Sequence, residues 1–69
     1  MKDISKIFGL RVREIRLQKK LSQGDVAKRL KLLRSYISGI ERGVRNPSLR
    51  VVKKIASALN SPIREFFKK

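Results

Sequence analysis

A chain of 69 residues with no cysteine and no histidine has only apolar packing, helix caps and charge pairing to hold it folded. Neither a disulfide framework nor a thiolate metal site is open to it, and no cofactor is expected. At this length a single core is only marginally stabilising. Residues 1–69 therefore read as one domain, with room for four or five short helices and none for a separate catalytic or effector domain. No apolar run is long enough for a signal peptide or a membrane span, so the expectation is a cytoplasmic protein with no membrane partner.

Apolar residues recur at helical spacing, and no strand is expected. From about Asp3 to Lys19, the residues Ile4, Phe8, Val12 and Ile15 share one helical face. Leu10 and Leu17 lie off that face, open either to the side of the core or to a partner. Gly9 weakens the helix and predicts fraying of its first turns, and Lys20 stands where a glycine commonly stops such a helix. Ser22 and Asp25 have capping-box spacing ahead of a short helix from about Gln23 to Leu30, with Val26, Ala27 and Leu30 on its buried face.

After a break at Lys31, Leu32 and Leu33, a third helix is predicted from Arg34 to about Arg42. Ile37 and Ile40 face inward, while Arg34, Ser35, Ser38 and Gly39 face outward. Gly43 ends this helix and opens a loop to Pro47. Ser48 caps a fourth helix carrying Leu49, Val52, Ile55, Ala56 and Leu59 as an apolar stripe, and Asn60 closes it in the left-handed conformation. Ser61 and Pro62 read as N-cap and first residue of a short fifth helix through Phe66, Phe67, Lys68 and Lys69. The expected fold is all-α, a compact five-helix domain whose second and third helices form a helix-turn-helix over residues 22–42. Ala27 supports that pairing, because a small side chain there lets the two helices approach closely.

Charge narrows the partner. Nineteen Lys and Arg stand against five Asp and Glu, a formal net charge of +14. Such a surface repels itself unless it meets a polyanion, of which nucleic acid is the commonest. The cations alternate with apolar residues at helical spacing, so they decorate a folded body rather than a disordered arm. An enzyme is not expected, since histidine and cysteine are missing and the acids are dispersed. A membrane-active cationic helix conflicts with the break from Gly43 to Pro47, and no small-molecule ligand is inferred. On charge alone, a non-specific basic nucleic-acid-binding protein stays open.

The run Leu21-Ser22-Gln23, then Leu30, Arg34-Ser35-Tyr36-Ile37-Ser38, Ile40-Glu41-Arg42-Gly43 and Arg45-Asn46-Pro47-Ser48-Leu49 resembles the phage-repressor-like (Xre-type) helix-turn-helix family. The likeness extends from about Gly9 to Phe67. The stretch from Tyr36 to Asn46 further resembles the controller proteins of restriction–modification systems. The resemblance implies a five-helix, commonly dimeric regulator of transcription with its third helix in the major groove of double-stranded DNA. Two residues depart from the family pattern: Lys31 replaces the turn glycine, and Leu33 replaces the polar cap of the third helix. These departures bear on the start and tilt of that helix.

Several side chains become candidate DNA contacts. Arg34, at the exposed first turn of the third helix, has a fork that fits guanine O6 and N7; a phosphate contact or a solvated charge is the competing reading. Ser35 occupies the family's adjacent reading position, and its hydroxyl serves several bases, although it also reads as a plain surface serine. Tyr36 either gives its OH to a phosphate or simply packs its ring on the domain edge. Ser38 and Gly39 lie one turn on, and Gly39 is expected to permit docking rather than to read a base. Gln23 opens the second helix, where free N–H groups and the dipole favour a phosphate; the family uses it as a backbone clamp. Arg45 and Asn46 look like phosphate contacts from the following loop, which set register rather than sequence choice.

Glu41 falls on the inner half of the third helix and needs a partner; the resemblance pairs it structurally with Arg16. A homodimer is expected, because one short helix reads too few base pairs to select a site, whereas two copies related by a two-fold axis read half-sites about 34 Å apart. Val44, Val51, Ile63 and Phe67 are the interface candidates, against the alternative that Phe66 and Phe67 both close the core. An antitoxin or other partner-binding role of the same fold is the remaining alternative.

Overall fold

The computed structural model describes residues 3–68. Four α-helices follow one another, α1 (Ile4–Gln18), α2 (Gln23–Leu30), α3 (Arg34–Glu41) and α4 (Leu49–Ala58), and a 3-10 turn spans Ile63–Phe67. There is no strand among the described residues.

Side chains start three of the four helices. Asp3 accepts from the Ser5 N–H at 2.9 Å ahead of α1, and Ser48 accepts from the Val51 N–H at 3.2 Å ahead of α4. Before α2 the full capping box forms: Ser22 Oγ accepts from the Asp25 N–H at 2.9 Å, and Asp25 Oδ2 accepts from the Ser22 N–H at 2.8 Å. Those bonds hold the Asp25 carboxyl below the usual carboxylate range. The carboxylate half of the cap is therefore intact above that range and weakens as pH falls through the lowered pKa of Asp25, while the Ser22 half remains. Helix ends turn through left-handed residues: Lys20 at φ 59°, Lys31 at 57°, Asn60 at 51° and Gly43 at 75°.

The core is Phe8, Val12, Ile15, Val26, Ala27, Ile37, Ile40, Val52, Ile55, Ala56, Leu59 and Phe66, all buried. Helix α1 packs on α3 and on the 3-10 turn, and α2 packs on α3 and α4. Three residues of the expected apolar stripes lie outside this core, of which Leu30 is half-buried against it. Ile4 is 56% exposed at the first turn of α1, and Leu49 is 87% exposed at the first turn of α4. The fifth element is a 3-10 turn rather than an α-helix, and its N-cap is Pro62 rather than Ser61, whose hydroxyl donates back to the Leu59 carbonyl at 3.3 Å. So short a segment is held by Phe66, which is fully buried, and by ring contacts of Phe66 and Phe67 with Phe8 at 5.7 and 5.5 Å. The expected continuation to Lys69 lies outside the described residues.

Gly9 is a point of close approach rather than of fraying. A Cβ there would strike the backbone carbonyls of Ile40 and Glu41, the latter at 2.9 Å, so α1 and α3 touch backbone to backbone. Beside that contact, Arg16 of α1 grips Glu41 at the end of α3 with two bonds, Nε to Oε2 at 2.7 Å and Nη2 to Oε1 at 2.9 Å. A third, from Nη1 to the Leu21 carbonyl at 2.8 Å, ties the same guanidinium to the loop before α2. The hydrogen bonds to Glu41 push the pKa of Arg16 above its ordinary value, so the guanidinium stays charged.

Two stability outcomes follow. Gly9→Ala should destabilise the fold by about 1–3 kcal/mol, because the clash with backbone outweighs a gain in helix propensity of about 1 kcal/mol; a thermal melt that rises instead would contradict the close approach. Glu41→Ala should cost about 3–5 kcal/mol by leaving Arg16 buried without its anion, a large part of the total for a domain of this size. An unchanged Tm for that variant would rule out the pair as a structural element.

Candidate nucleic-acid interface

The turn between α2 and α3 determines what the surface presents. Lys31 adopts φ 57°, ψ 40°, the conformation a glycine would take more easily, and its N–H closes α2 on the Ala27 and Lys28 carbonyls. The departure from the family glycine therefore leaves the turn geometry in place. Leu33 then occupies the N-cap of α3 with no side-chain hydrogen bond and is 75% exposed. The first N–H groups of α3 thus have no side-chain acceptor, and an apolar side chain stands at the rim where the family places a polar one.

Gln23, Arg34, Ser35 and Ser38 line one shallow concavity between the start of α2 and the outer face of α3. Arg34 and Ser35 are exposed, whereas Gln23 and Ser38 are half-buried. These four candidates, drawn from two helices, thus meet in space. Tyr36 sits beside them, its ring packed partly on the core and its face covered by the Arg45 guanidinium at 5.6 Å.

Gly39 is not an open position. It is buried, its carbonyl accepts from the N–H groups of Val44 and Arg45 at 3.0 and 3.2 Å, and the Arg45 stem lies across it. A Cβ on Gly39 would come within 2.6 Å of Arg45 Cγ. The missing side chain on α3 is thus replaced in space by Arg45 from the following loop, a substitution that helix periodicity does not reveal. Asn46 does not join the concavity. Its side-chain oxygen accepts from Ser5 Oγ at 3.3 Å, and it lines a separate apolar groove with Ile4, Leu49 and Phe67.

The other candidates are placed as follows. Val44 and Ile63 are exposed at 67% and 45%, Phe67 at 39%, and Val51 is half-buried against the core. A contact that sequence spacing does not suggest joins Gln23 to the ion pair: its amide nitrogen donates to Glu41 Oε1 at 3.1 Å.

The electrostatics are one-sided for a structural reason. Each of the five acids is engaged within the protein: Asp3 and Asp25 cap helices, Glu14 pairs with Arg11, Glu41 with Arg16, and Glu65 with Lys68 and Arg11. Lys31, Arg34, Arg42 and Arg45, exposed along α3 and its flanking loops, meet no neutralising carboxylate there. Among the described residues, no group of His, Cys, Asp or Glu is arranged to hold a metal ion, and no helix is long and apolar enough to cross a membrane.

Comparison with known proteins agrees with this geometry. Residues 12–66 match the helix-turn-helix family. The control protein C.BamHI of Bacillus amyloliquefaciens is 50% identical over 58 residues, covering 83% of this chain and 72% of that protein. The control protein C.MunI of a Mycoplasma species is 40% identical over 68 residues, covering 97% of this chain and 92% of that one. Among solved structures, the restriction–modification controller protein C.AhdI from Aeromonas hydrophila superposes with a TM-score of 0.87 at 48% identity, covering 91% of this chain and 96% of that one. With a helix-turn-helix geometry, an unneutralised basic face and such relatives, the chain belongs to the Xre-type helix-turn-helix family of DNA-binding regulators and is similar to restriction–modification controller proteins.

Proposed function

We propose that the protein regulates transcription by binding an inverted-repeat operator as a homodimer, with α3 of each copy in the major groove. The observation that carries this reading is the convergence of Gln23, Arg34, Ser35 and Ser38 on one concave rim, in a chain of net charge +14 whose acids are all engaged internally. Arg34 at the first turn of α3 reads a guanine edge. Gln23 at the start of α2, where free N–H groups and the helix dipole point outward, holds a phosphate. Arg45, its stem lying across Gly39, carries its cation back over the Tyr36 ring on α3. Control of a restriction–modification system is the regulatory role suggested by the chain's likeness to C.BamHI and C.AhdI.

The dimer interface is proposed at the groove edged by Ile4, Leu49 and Phe67, with Val44, Val51 and Ile63 as the other interface candidates. Three large apolar side chains gathered at one groove, two of them more than half exposed, are more than the scattered exposure an isolated basic domain needs.

Selection of bound sequences from a random duplex library at about 150 mM salt tests the reading, since screening weakens the sequence-independent phosphate contribution. An inverted repeat with half-sites about 34 Å apart is the expected result, and binding without any recovered motif would place the protein among non-specific binders. On the recovered operator, Arg34→Ala should lose about 10- to 100-fold in affinity and relax the preference at one base pair. Leu49→Glu should shift sedimentation towards the monomer and weaken operator binding with an unchanged circular dichroism spectrum. A dimer that survives this change moves the interface elsewhere.

A further inference from the structure

The bond between Gln23 and Glu41 links a residue that faces the outside of the domain to one that closes its inside. Glu41 sits at the C-terminal end of α3 with its side chain only 3% exposed, and both its oxygens are engaged by Arg16. Oε1 accepts a second donor, the Gln23 amide nitrogen, at 3.1 Å. Arg16 in turn holds the Leu21 carbonyl, two residues before Gln23, at 2.8 Å. The backbone leading into α2 and the side chain of its first residue are therefore fixed from the same buried pair.

We propose that Glu41, besides closing the fold, is a positioning residue for DNA-backbone binding, acting through Gln23. This rests on the reading of Gln23 as a phosphate contact. A glutamine amide has two N–H donors. One is engaged by Glu41, and the second is free for a phosphate oxygen at the mouth of the concavity that Gln23 shares with Arg34, Ser35 and Ser38. A free glutamine side chain samples many rotamers, and ordering it on binding lowers affinity; the bond to Glu41 orders it beforehand. Because the Glu41 charge is neutralised by Arg16 and buried, it orients the amide without repelling the phosphate.

A double-mutant cycle tests this. Wild type, Gln23→Ala, Glu41→Gln and the double variant are titrated with the selected operator at a temperature where circular dichroism shows each folded. Gln23→Ala should weaken binding about tenfold. Glu41→Gln should weaken it about 3- to 10-fold when Gln23 is present and add almost nothing when Gln23 is absent. An equal loss in both backgrounds, or none in either, overturns the proposal while leaving the protein a DNA-binding regulator. Failure of the wild type to bind any duplex overturns both readings.

Should Glu41→Gln not fold, side-chain amide NMR of the free wild-type protein decides. A Gln23 amide proton moved from the free-amide shift and slow to exchange with solvent supports the proposal. Two Gln23 amide protons with the shifts and the fast exchange of an exposed glutamine overturn it.

Discussion

The charge pair between Arg16 and Glu41 is the contact on which the arrangement of helices depends. It joins α1 to the end of α3 through two short bonds and reaches the α2 loop through a third. A buried ion pair contributes little net stability over a well-packed apolar pair, because desolvation offsets most of the attraction. Its value lies in geometry. Apolar contacts among Ile37, Ile40 and Val12 tolerate sliding, whereas a forked guanidinium on a carboxylate accepts one register. Immediately beside it, Gly9 brings the α1 backbone against the Ile40 and Glu41 carbonyls. The two features together set how far α3 protrudes and how it is rotated.

That placement matters because α3 is short. Eight residues give two turns, so few outward positions are available for contact. One of them, Gly39, is covered by Arg45, and the N-cap carries an exposed leucine instead of a polar residue. The candidate interface is thus assembled from three segments, the start of α2, the outer side of α3 and the loop after it. A small error in the angle between α1 and α3 would separate these segments.

The charge distribution shows a similar economy. Five acids serve as helix caps or as partners of specific arginines and lysines, and the other cations among the described residues are exposed. Self-repulsion of a domain this small lowers its stability when it is alone, and a polyanion relieves that repulsion on binding. Binding and folding are in this sense coupled through long-range electrostatics, in addition to any local contact.

Much of this was readable before any coordinates. Capping at Ser22, Asp25 and Ser48, and the inward set of Val12, Ile15, Val26, Ile37, Ile40 and Ile55, follow from short-range rules of spacing and hydrogen bonding. Those rules failed at element ends: Ile4 and Leu49 continue their stripes on a helical wheel, yet both stay more than half exposed at the edge of a groove. They failed also for the last segment, where propensity and an N-cap motif suggest an α-helix but anchoring of Phe66 against Phe8 favours a tighter turn. By itself the sequence determined an all-helical, strongly basic domain with a helix-turn-helix, because periodicity, caps and charge act over a few residues. Only the tertiary structure decided that Gln23 bonds to Glu41, that Arg45 fills the space above Gly39 and that Asn46 turns towards Ser5. Those contacts join residues from different segments, and their existence depends on the angle at which whole helices cross.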